Sequence, residues 1–319
     1  MRATARETGA RRARIPNAVL GTAFVVLWCT GYPAAKIGLA HCAPFTLLDI
    51  RFACAGLLYA ALALIARVAW PRGPQALHAV AIGTLQLALQ FGGAYLAAAR
   101  GVNVGILALV IGTMPIVTAL MGLPFGEPIR PLQWLGFAFG FGGVVLAVGE
   151  RLAPDSGAGW VAYLAVLCAL LGICAGTVYQ KRVGSQVDLR SGLSLQHAVA
   201  TVLLLPLAAH EGWRCDASAT LLTTLAWLIV VNSMGGFGLF YLLLRRGAVN
   251  QVAALFFLMP PVTALMDYVV LGDRLGALKL AGIAIAALGV YLATRPAAPA
   301  HSLSVPSAAA PRLPRARGE

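Results

Sequence analysis

An internal repeat inside long apolar runs constrains this sequence more than any other feature. The octapeptide MPIVTALM, which begins at Met114, returns as MPPVTALM at Met259 and differs at one position only. The match continues after each copy with a shift of one residue, so that Glu127 corresponds to Asp273. Duplication inside an apolar chain is typical of membrane transport proteins.

The composition excludes a water-soluble globule. Of the 319 residues, 60% are hydrophobic and 11% are charged, and the mean hydropathy is +0.82, which leaves too little polar surface to cover a soluble protein. A membrane-spanning helix needs about 20 apolar residues. The apolar runs predict ten such helices, at about 18–38, 44–66, 76–98, 104–124, 131–149, 159–180, 193–210, 219–243, 250–271 and 277–294.

The two octapeptides fall in the fourth and ninth predicted helices, so the chain divides into halves of five. Because five is odd, the second half enters the membrane from the opposite side. The predicted fold is an all-α membrane protein of ten transmembrane helices in two inverted five-helix repeats. Continuous rather than alternating apolar runs argue against a β-barrel. The predicted segments are a basic N-terminal segment (1–16), the repeats (17–150 and 158–295), a linker (151–157) and a disordered tail (296–319).

The net charge of +13 does not indicate nucleic-acid binding, because the basic residues are dispersed among short loops and tails. They indicate orientation instead. With the N-terminus in the cytoplasm, most basic residues lie inside and few outside. Both termini are therefore predicted to be cytoplasmic. The basic residues on the outside are then Arg100, Arg151, Arg214, Arg274 and Lys279.

The six cysteines form no disulfide framework. Four of them fall within predicted helices, and only Cys42 and Cys215 fall in predicted outer loops. The sequence leaves a disulfide between these two open but does not favour it, because a helical bundle needs no such staple.

Three local patterns carry a family resemblance. They are WCTGYPAAKIG at 28–38, the set Pro44, Leu47, Arg51 and Phe52, and the glycine–acid pairs at 126–127 and 272–273. With the five-plus-five repeat, the chain resembles the drug/metabolite transporter superfamily, specifically its ten-helix exporters of the EamA type. The second pair has aspartate where glutamate is more usual. The resemblance implies small-solute transport, commonly efflux of amino acids or other metabolites, through a central cavity between the halves.

Few ionisable residues lie inside the predicted helices, and charges there are costly. With the orientation above, the acidic and basic residues among them lie in the outer half of the membrane, and their formal charges sum to zero. One cluster of paired charges is therefore expected. Such a cluster would gate or couple transport: a carboxylate would exchange a proton or bind a cation, and a base would meet a substrate carboxylate. Structural pairing and snorkelling are the alternative. The candidates are Lys36, Asp49, Arg51, His197 and Asp267.

Polar and aromatic residues near the estimated midplane are the candidate cavity lining. Amides can orient an amphipathic solute while aromatic rings supply apolar contact. Hydrogen bonding between helices and ordinary core packing are the alternative. The candidates are Trp28, Tyr32, Gln86, Gln90, Phe91, Asn232, Ser233 and Phe257.

Prolines and small residues predict the backbone geometry of four helices. Pro115, Pro260 and Pro261 fall near mid-helix, where kinks and a hinge are expected. Small residues four apart, including Gly136 and Gly140, predict close packing of helices five and ten as scaffold or as a homodimer contact. The simplest role for Glu127 and Asp273 is to cap the helices that follow.

Other functional classes find little support. The five histidines have no metal-ligand spacing, and no phosphate-binding loop is present, so neither an enzyme nor a metal or other cofactor is predicted. Channels and receptors are disfavoured by the inverted repeat. The prediction is a secondary transporter that exports small metabolites, amino acids or related compounds, by alternating access, with protons as a candidate coupling ion. A multidrug or organic-cation carrier is the alternative.

Overall fold

In the part that its computed structural model describes, the chain consists of helices joined by short turns and loops, and those residues form no β-sheet. The predicted linker 151–157 and tail 296–319 lie outside the described part, as do residues 1–15 of the basic segment and the glycine–acid pair at 272–273. The described residues are 16–102, 104–149, 159–183, 187–246, 249–271 and 276–295.

Within these residues the helical stretches follow the apolar runs. They are α1 (Asn17–Leu39), α2 (Pro44–Ile65), α3 (Pro74–Ala99), α4 (104–122), α5 (Pro131–Val148), α6 (Trp160–Val183), α7 (Leu189–His210), α8 (Ala219–Arg245), α9 (249–271) and α10 (Ala277–Thr294). In the described part, eight helices are long and apolar enough to cross a membrane. The apolar helices within α4 and α5 are shorter.

Two helices break where the prolines predicted kinks. The α4 helix is interrupted between Ile111 and Met114, and α9 passes through a 3₁₀ turn at Leu255–Leu258. Proline lacks the N–H that an interior position would need, so it is tolerated in a first turn. In both helices proline occupies the first turn after the break, with Pro115 in α4 and Pro260 and Pro261 in α9. The kinks are confirmed, and the hinge role stays a prediction.

Two other helices contain a wider turn that the sequence did not predict. Gly83–Leu89 of α3 and Leu228–Gly236 of α8 are π-helical. Such segments are rare and frequent at functional sites, because they change which backbone and side-chain groups point inward. Three candidate cavity residues, Gln86, Asn232 and Ser233, lie on these two segments.

Helices α5 and α10 pack backbone to backbone. A Cβ atom added at Gly143 would lie 2.4 Å from the main-chain nitrogen of Ala286, and one added at Gly289 would lie 2.2 Å from that of Gly140. The predicted close packing is therefore confirmed within one chain. Because these small faces are already covered, a homodimer contact through the same helices stays a prediction for their other faces.

One end of the bundle joins the two halves by covalent and hydrogen bonds. The turn between α1 and α2 runs beside the turn between α7 and α8, with Ala43 N donating to Arg214 O (2.8 Å). Cys42 and Cys215 form a disulfide, which the sequence left open but did not favour. The sequence did not show that these turns pair with each other, which is what brings the thiols together. We call residues 40–43 and 211–218 the disulfide end.

Polar contacts reinforce the disulfide end. Glu211 Oε2 accepts hydrogen bonds from the main-chain N–H groups of Phe45 and Thr46 (2.9 Å each) and so caps α2 from the far side of the turn. The hydrogen bond from His41 (2.8 Å), aided by one from Ser218, holds the pKa of Asp216 below its ordinary value.

At the opposite end of the bundle, Glu127 does not cap α5. Its carboxylate forms an ion pair with Lys181 of α6, and Arg182 lies 3.8 Å away. Gln133 Oε1 instead accepts hydrogen bonds from the main-chain N–H of Arg130 (3.0 Å) and from its Nε (3.4 Å) at the start of α5. The predicted capping role of Glu127 is wrong, because the end of α6 brings two cations to it. The same prediction for Asp273 lies outside the described residues.

Candidate functional site

The centre of the site is Arg51, a guanidinium buried in the middle of the bundle. Its side chain is only 2% exposed. Arg51 Nε donates to Ser233 Oγ (2.8 Å) and Nη2 donates to Asn232 Oδ1, and the side chain of Tyr95 lies beside the guanidinium. The ring of Phe91 lies 5.2 Å from the guanidinium carbon. We call Arg51, Tyr95, Asn232 and Ser233 the arginine cluster.

The amide of Asn232 is fixed from its other side by α1. Asn232 Nδ2 donates to Leu27 O and Trp28 O (3.0 Å each), just before the break in that helix at Thr30. A Cβ atom at Gly31 would lie 2.4 Å from Asn232 Nδ2, so only glycine permits this approach. Because the amide nitrogen faces α1, the amide oxygen faces Arg51.

The π-helical segment of α8 supplies main-chain acceptors as well. Tyr59 of α2 donates its hydroxyl hydrogen toward Ser233 O (3.2 Å) and Met234 O (2.8 Å). Ser233 therefore holds Arg51 through its side chain and Tyr59 through its main chain. Helices α2 and α8 are thus joined at two successive levels.

A second cluster lies on the π-helical segment of α3. Gln86 Nε2 donates to Thr177 Oγ1 (3.0 Å), and Gln86 Oε1 accepts from the hydroxyl of Tyr241. A Cβ atom at Gly176 would lie 2.3 Å from Gln86 Cγ. We call Gln86, Thr177 and Tyr241 the glutamine cluster.

The two clusters recur with the spacing of the repeat. A shift of 145 residues, the distance in sequence from Met114 to Met259, carries Gly31 to Gly176. A shift of one more residue carries Gln86 to Asn232. In each cluster, then, an amide from a π-helical segment fits against a glycine of the other half.

A sulfur contact recurs in the same way. Cys29 Sγ lies 3.5 Å from Met259 O, and Cys174 Sγ lies 3.7 Å from Met114 O. Each contact joins a helix of one half to the octapeptide of the other, and the shift of 145 residues interchanges them.

His197 is fully buried beside the arginine cluster in aromatic surroundings. Its Nδ1 lies 2.8 Å from Leu193 O, and its Nε2 has no hydrogen-bond partner among the described residues. The rings of Phe52, Tyr59 and Phe237 lie 5.5 to 5.7 Å from the imidazole. Because Nδ1 faces a carbonyl oxygen, it carries the hydrogen, and Nε2 is left with its lone pair.

The paired charge cluster predicted from the sequence does not form among the described side chains. Lys36 is exposed, and Asp49 Oδ1 is buried without a hydrogen-bond partner. Asp49 and Arg51 are two residues apart, so they project from different faces of α2. The predicted pairing of these three is therefore wrong. Asp267 lies on α9, and its side chain is outside the described part.

The other candidates divide between the site and the scaffold. Trp28 and Phe91 belong to the aromatic wall beside Arg51, with ring centroids 6.4 Å apart. Tyr32 is 44% exposed, and Gln90 is half-buried outside the hydrogen bonds of either cluster. Phe257 packs against Gly140 of α5, away from both clusters.

A narrow cleft lies at the end of the bundle opposite the disulfide end. Tyr241 and Gln196 lie in its lining, and Gln196 Oε1 has no hydrogen-bond partner in the described part of the chain. Since Tyr241 also bonds Gln86, the cleft reaches the glutamine cluster. Polar or charged residues that complete the lining include Gln75, His78, Gln180, Asp188 and Arg245.

Sequence reasoning missed the tyrosines that complete these clusters. Tyr59, Tyr95 and Tyr241 are ordinary residues for an apolar helix, so depth alone did not single them out. One signal was available, because Tyr95 and Tyr241 are separated by the same shift of 146 residues that relates Gln86 to Asn232.

Comparison with known proteins gives consistent results. The EamA-like transporter family matches the chain twice, at residues 16–149 and 160–295. The inner membrane transporter YedA of Escherichia coli strain K12 is 30% identical over 276 residues, which cover 85% of this chain and 86% of the relative. A protein of the same strain named "probable amino-acid metabolite efflux pump" is 26% identical, covering 86% of this chain and 94% of its own length. A solved crystal structure shares the fold, with a TM-score of 0.75 and 20% identity over 87% of this chain and 96% of that one.

Proposed function

This chain belongs to the EamA-like transporter family, and from that premise we propose that it exports small metabolites across the bacterial inner membrane by alternating access. The observation that carries the proposal is the pair of reciprocal polar clusters on the π-helical segments of α3 and α8. Buried polar groups at the contact between two halves are where a solute can be held while the halves rock around it.

We propose that α1–α10 are ten transmembrane helices in two inverted five-helix repeats. The double match of the family supports this arrangement. So do the contacts, because α3 packs on α6 as α8 packs on α1, while α2 pairs with α7 and α5 with α10. An approximate two-fold axis between the halves produces this set of pairings, and the odd number of helices in each half makes the repeat inverted.

The described structure supports an inward-open carrier. The disulfide and the cap that Glu211 gives to α2 tie the two halves together at the disulfide end, and the shallow depression over that end is lined by the disulfide turns themselves. The narrow cleft at the other end reaches inward to Tyr241. With the N-terminus in the cytoplasm, as the distribution of basic residues predicts, the cleft faces the cytoplasm. A solute entering it reaches Tyr241 and Gln86 first.

Amino acids or related compounds are the substrates we propose. The relative named as an amino-acid metabolite efflux pump supports this class. An organic cation is the second candidate, and one observation favours it: Asp49 Oδ1 is buried with no hydrogen-bond partner among the described residues. The same carboxylate is the candidate for proton coupling.

Efflux from proteoliposomes tests the proposal. Vesicles are preloaded with a labelled amino-acid mixture, and efflux is followed with and without a pH gradient, with protein-free vesicles as the control. We expect saturable efflux that accelerates when unlabelled solute is present outside, which distinguishes a carrier from a channel. Absence of saturable flux for amino acids and for organic cations would overturn the proposed function.

Coupling is tested in the same vesicles with Asp49→Asn. If a pH gradient drives efflux by the unchanged protein and this variant removes the drive while passive exchange remains, Asp49 carries the coupling. If neither the gradient nor the substitution alters the rate, transport is facilitated diffusion.

A further inference from the structure

We propose that Arg51 binds the carboxylate of the transported solute, so that the site selects carboxylates with an apolar body over their neutral analogues. This inference rests on the proposed carrier function and assigns its substrate class. It starts from one juxtaposition, in which a guanidinium is enclosed in the bundle with neutral partners and aromatic rings around it.

The charge of Arg51 has no counter-ion in the described part of the chain. No described carboxylate lies within 4 Å of the guanidinium, and its hydrogen-bond partners Ser233 and Asn232 are neutral, as is the neighbouring hydroxyl of Tyr95. Buried charges in membrane helices normally pair with an opposite charge or face a solute path. With no counter-ion among the described side chains, the charge of Arg51 is the one that a mobile anion would pair with.

The guanidinium also retains donors for such an anion. Arginine carries five N–H groups in one plane, and the described hydrogen bonds use one at Nε, to Ser233, and one at Nη2, to Asn232. The remaining donors are those that a carboxylate accepts in a two-point contact. Asn232, which α1 holds in place, and Ser233 fix the orientation of the plane before a ligand arrives.

The second half of the molecule shows that the fold does not need this charge. The shift of 145 residues carries Arg51 to Gln196, and the shift of 146 carries Tyr95 to Tyr241. Gln196 is buried like Arg51, yet it is neutral, and its Oε1 lacks a hydrogen-bond partner among the described residues. The position in the second half that corresponds to Arg51 therefore holds an uncharged amide. The fold does not require a positive charge at this position, so the charge of Arg51 needs a functional explanation.

The side chains around Arg51 indicate the chemical character of the rest of the solute. The rings of Phe52 and Phe91 lie 5.6 and 5.2 Å from the guanidinium carbon. Trp28 and Phe237, with ring centroids 4.9 Å apart, extend the same wall. A carboxylate attached to an aromatic or branched apolar group satisfies both parts of this site.

Ligand-induced thermal stabilisation of the purified full-length protein tests the inference without requiring transport. The probes are two matched pairs, 3-phenylpropanoate with 3-phenylpropanamide and 4-methylpentanoate with 4-methylpentanamide. We expect at least one carboxylate to raise the melting temperature and its amide to require a concentration about 10- to 100-fold higher, the range typical of a lost charged hydrogen bond.

Three variants assign the effect to Arg51. Arg51→Gln should abolish the preference for the carboxylate, and Arg51→Lys, which keeps the charge but loses the planar fork, should retain part of it. Arg100→Gln removes a positive charge at the end of α3 and should keep the full preference. Equal responses to acid and amide, or a preference that survives Arg51→Gln, would overturn the inference.

Efflux measurements separate this inference from the proposed function. If the unchanged protein carries solutes but transports acids and amides alike, the carrier function stands and the carboxylate site falls. If no solute is carried but stabilisation by carboxylates depends on Arg51, the site stands and the carrier function falls. If Arg51→Gln does not fold, the acid-to-amide preference of the unchanged protein and of Arg51→Lys decides.

Discussion

Gly31 is the residue on which the arginine cluster depends most directly. Its missing side chain lets Asn232 reach the carbonyls of α1 and present its oxygen to Arg51. Gly176 does the same for Gln86 in the other half. Two glycines therefore position the two amides on which the proposed site is built.

Gly31→Ala should disrupt the arginine cluster. The new Cβ would lie 2.4 Å from Asn232 Nδ2, so the amide must move, and overpacking of this kind costs about 1 to 3 kcal/mol. We expect a lower melting temperature and weaker solute binding. Gly238→Ala is the matched control, because its Cβ would make an ordinary contact of 3.8 Å with Tyr59. Equal effects of the two substitutions would show that Gly31 is not a special contact.

For individual residues, the estimated depth of each side chain in the membrane predicted part of the site. Arg51, Gln86 and Asn232 stood out because polar residues in apolar helices need partners. Their partners did not stand out, since which residues meet depends on how α2, α3 and α8 are rotated. The predicted pairing of Asp49 with Arg51 failed for the same reason, because closeness in sequence does not place two side chains on one face of a helix.

At the scale of elements, α5 and α10 form the tightest helix pair in the described structure. Their glycines allow main-chain atoms of the two helices to touch. The pair contacts neither the arginine cluster nor the glutamine cluster, and a separate apolar cluster around Phe137 and Phe257 fills the space beside it.

Gly289→Ala should loosen this pair. Its Cβ would lie 2.2 Å from the main-chain nitrogen of Gly140, and backbone gives way less easily than a side chain. We expect a loss of stability of about 1 to 3 kcal/mol or more, measured as a lower melting temperature, with the carboxylate preference unchanged. Gly142→Ala, on α5 with nothing within 4 Å of its added Cβ, is the control and should be neutral. A neutral Gly289→Ala would contradict the close approach of the two helices.

Helix bounds were predictable because apolar runs end where polar loops begin, and the prolines marked the breaks in α4 and α9. The π-helical segments of α3 and α8 were not. In a helix that is apolar on all sides, hydrophobic periodicity cannot distinguish a wide turn from an ordinary one.

At the scale of the whole molecule, the disulfide links the first half of the chain to the second. Cys42 and Cys215 are 173 residues apart in sequence, with the predicted linker 151–157 between them. The link therefore joins two units that are otherwise held together by packing and hydrogen bonds.

Cutting the linker tests the disulfide. A protease site is introduced within 151–157, and the purified protein is cleaved and denatured. We expect one band without reductant and two bands with it, whereas Cys42→Ser should give two bands under both conditions. If the protein that retains both cysteines gives two bands without reductant, the disulfide is absent. Loss of the bond should also lower stability by about 2 to 4 kcal/mol.

The disulfide also has a consequence for the direction in which the chain lies. Thiols that face the cytosol are kept reduced by glutathione and thioredoxin, whereas the bacterial periplasm is an oxidising compartment. We infer that the end carrying Cys42 and Cys215 faces the periplasm. This inference does not depend on the arginines and lysines, and under the proposed function it turns the cleft toward the cell interior, from which an exporter takes up its solute.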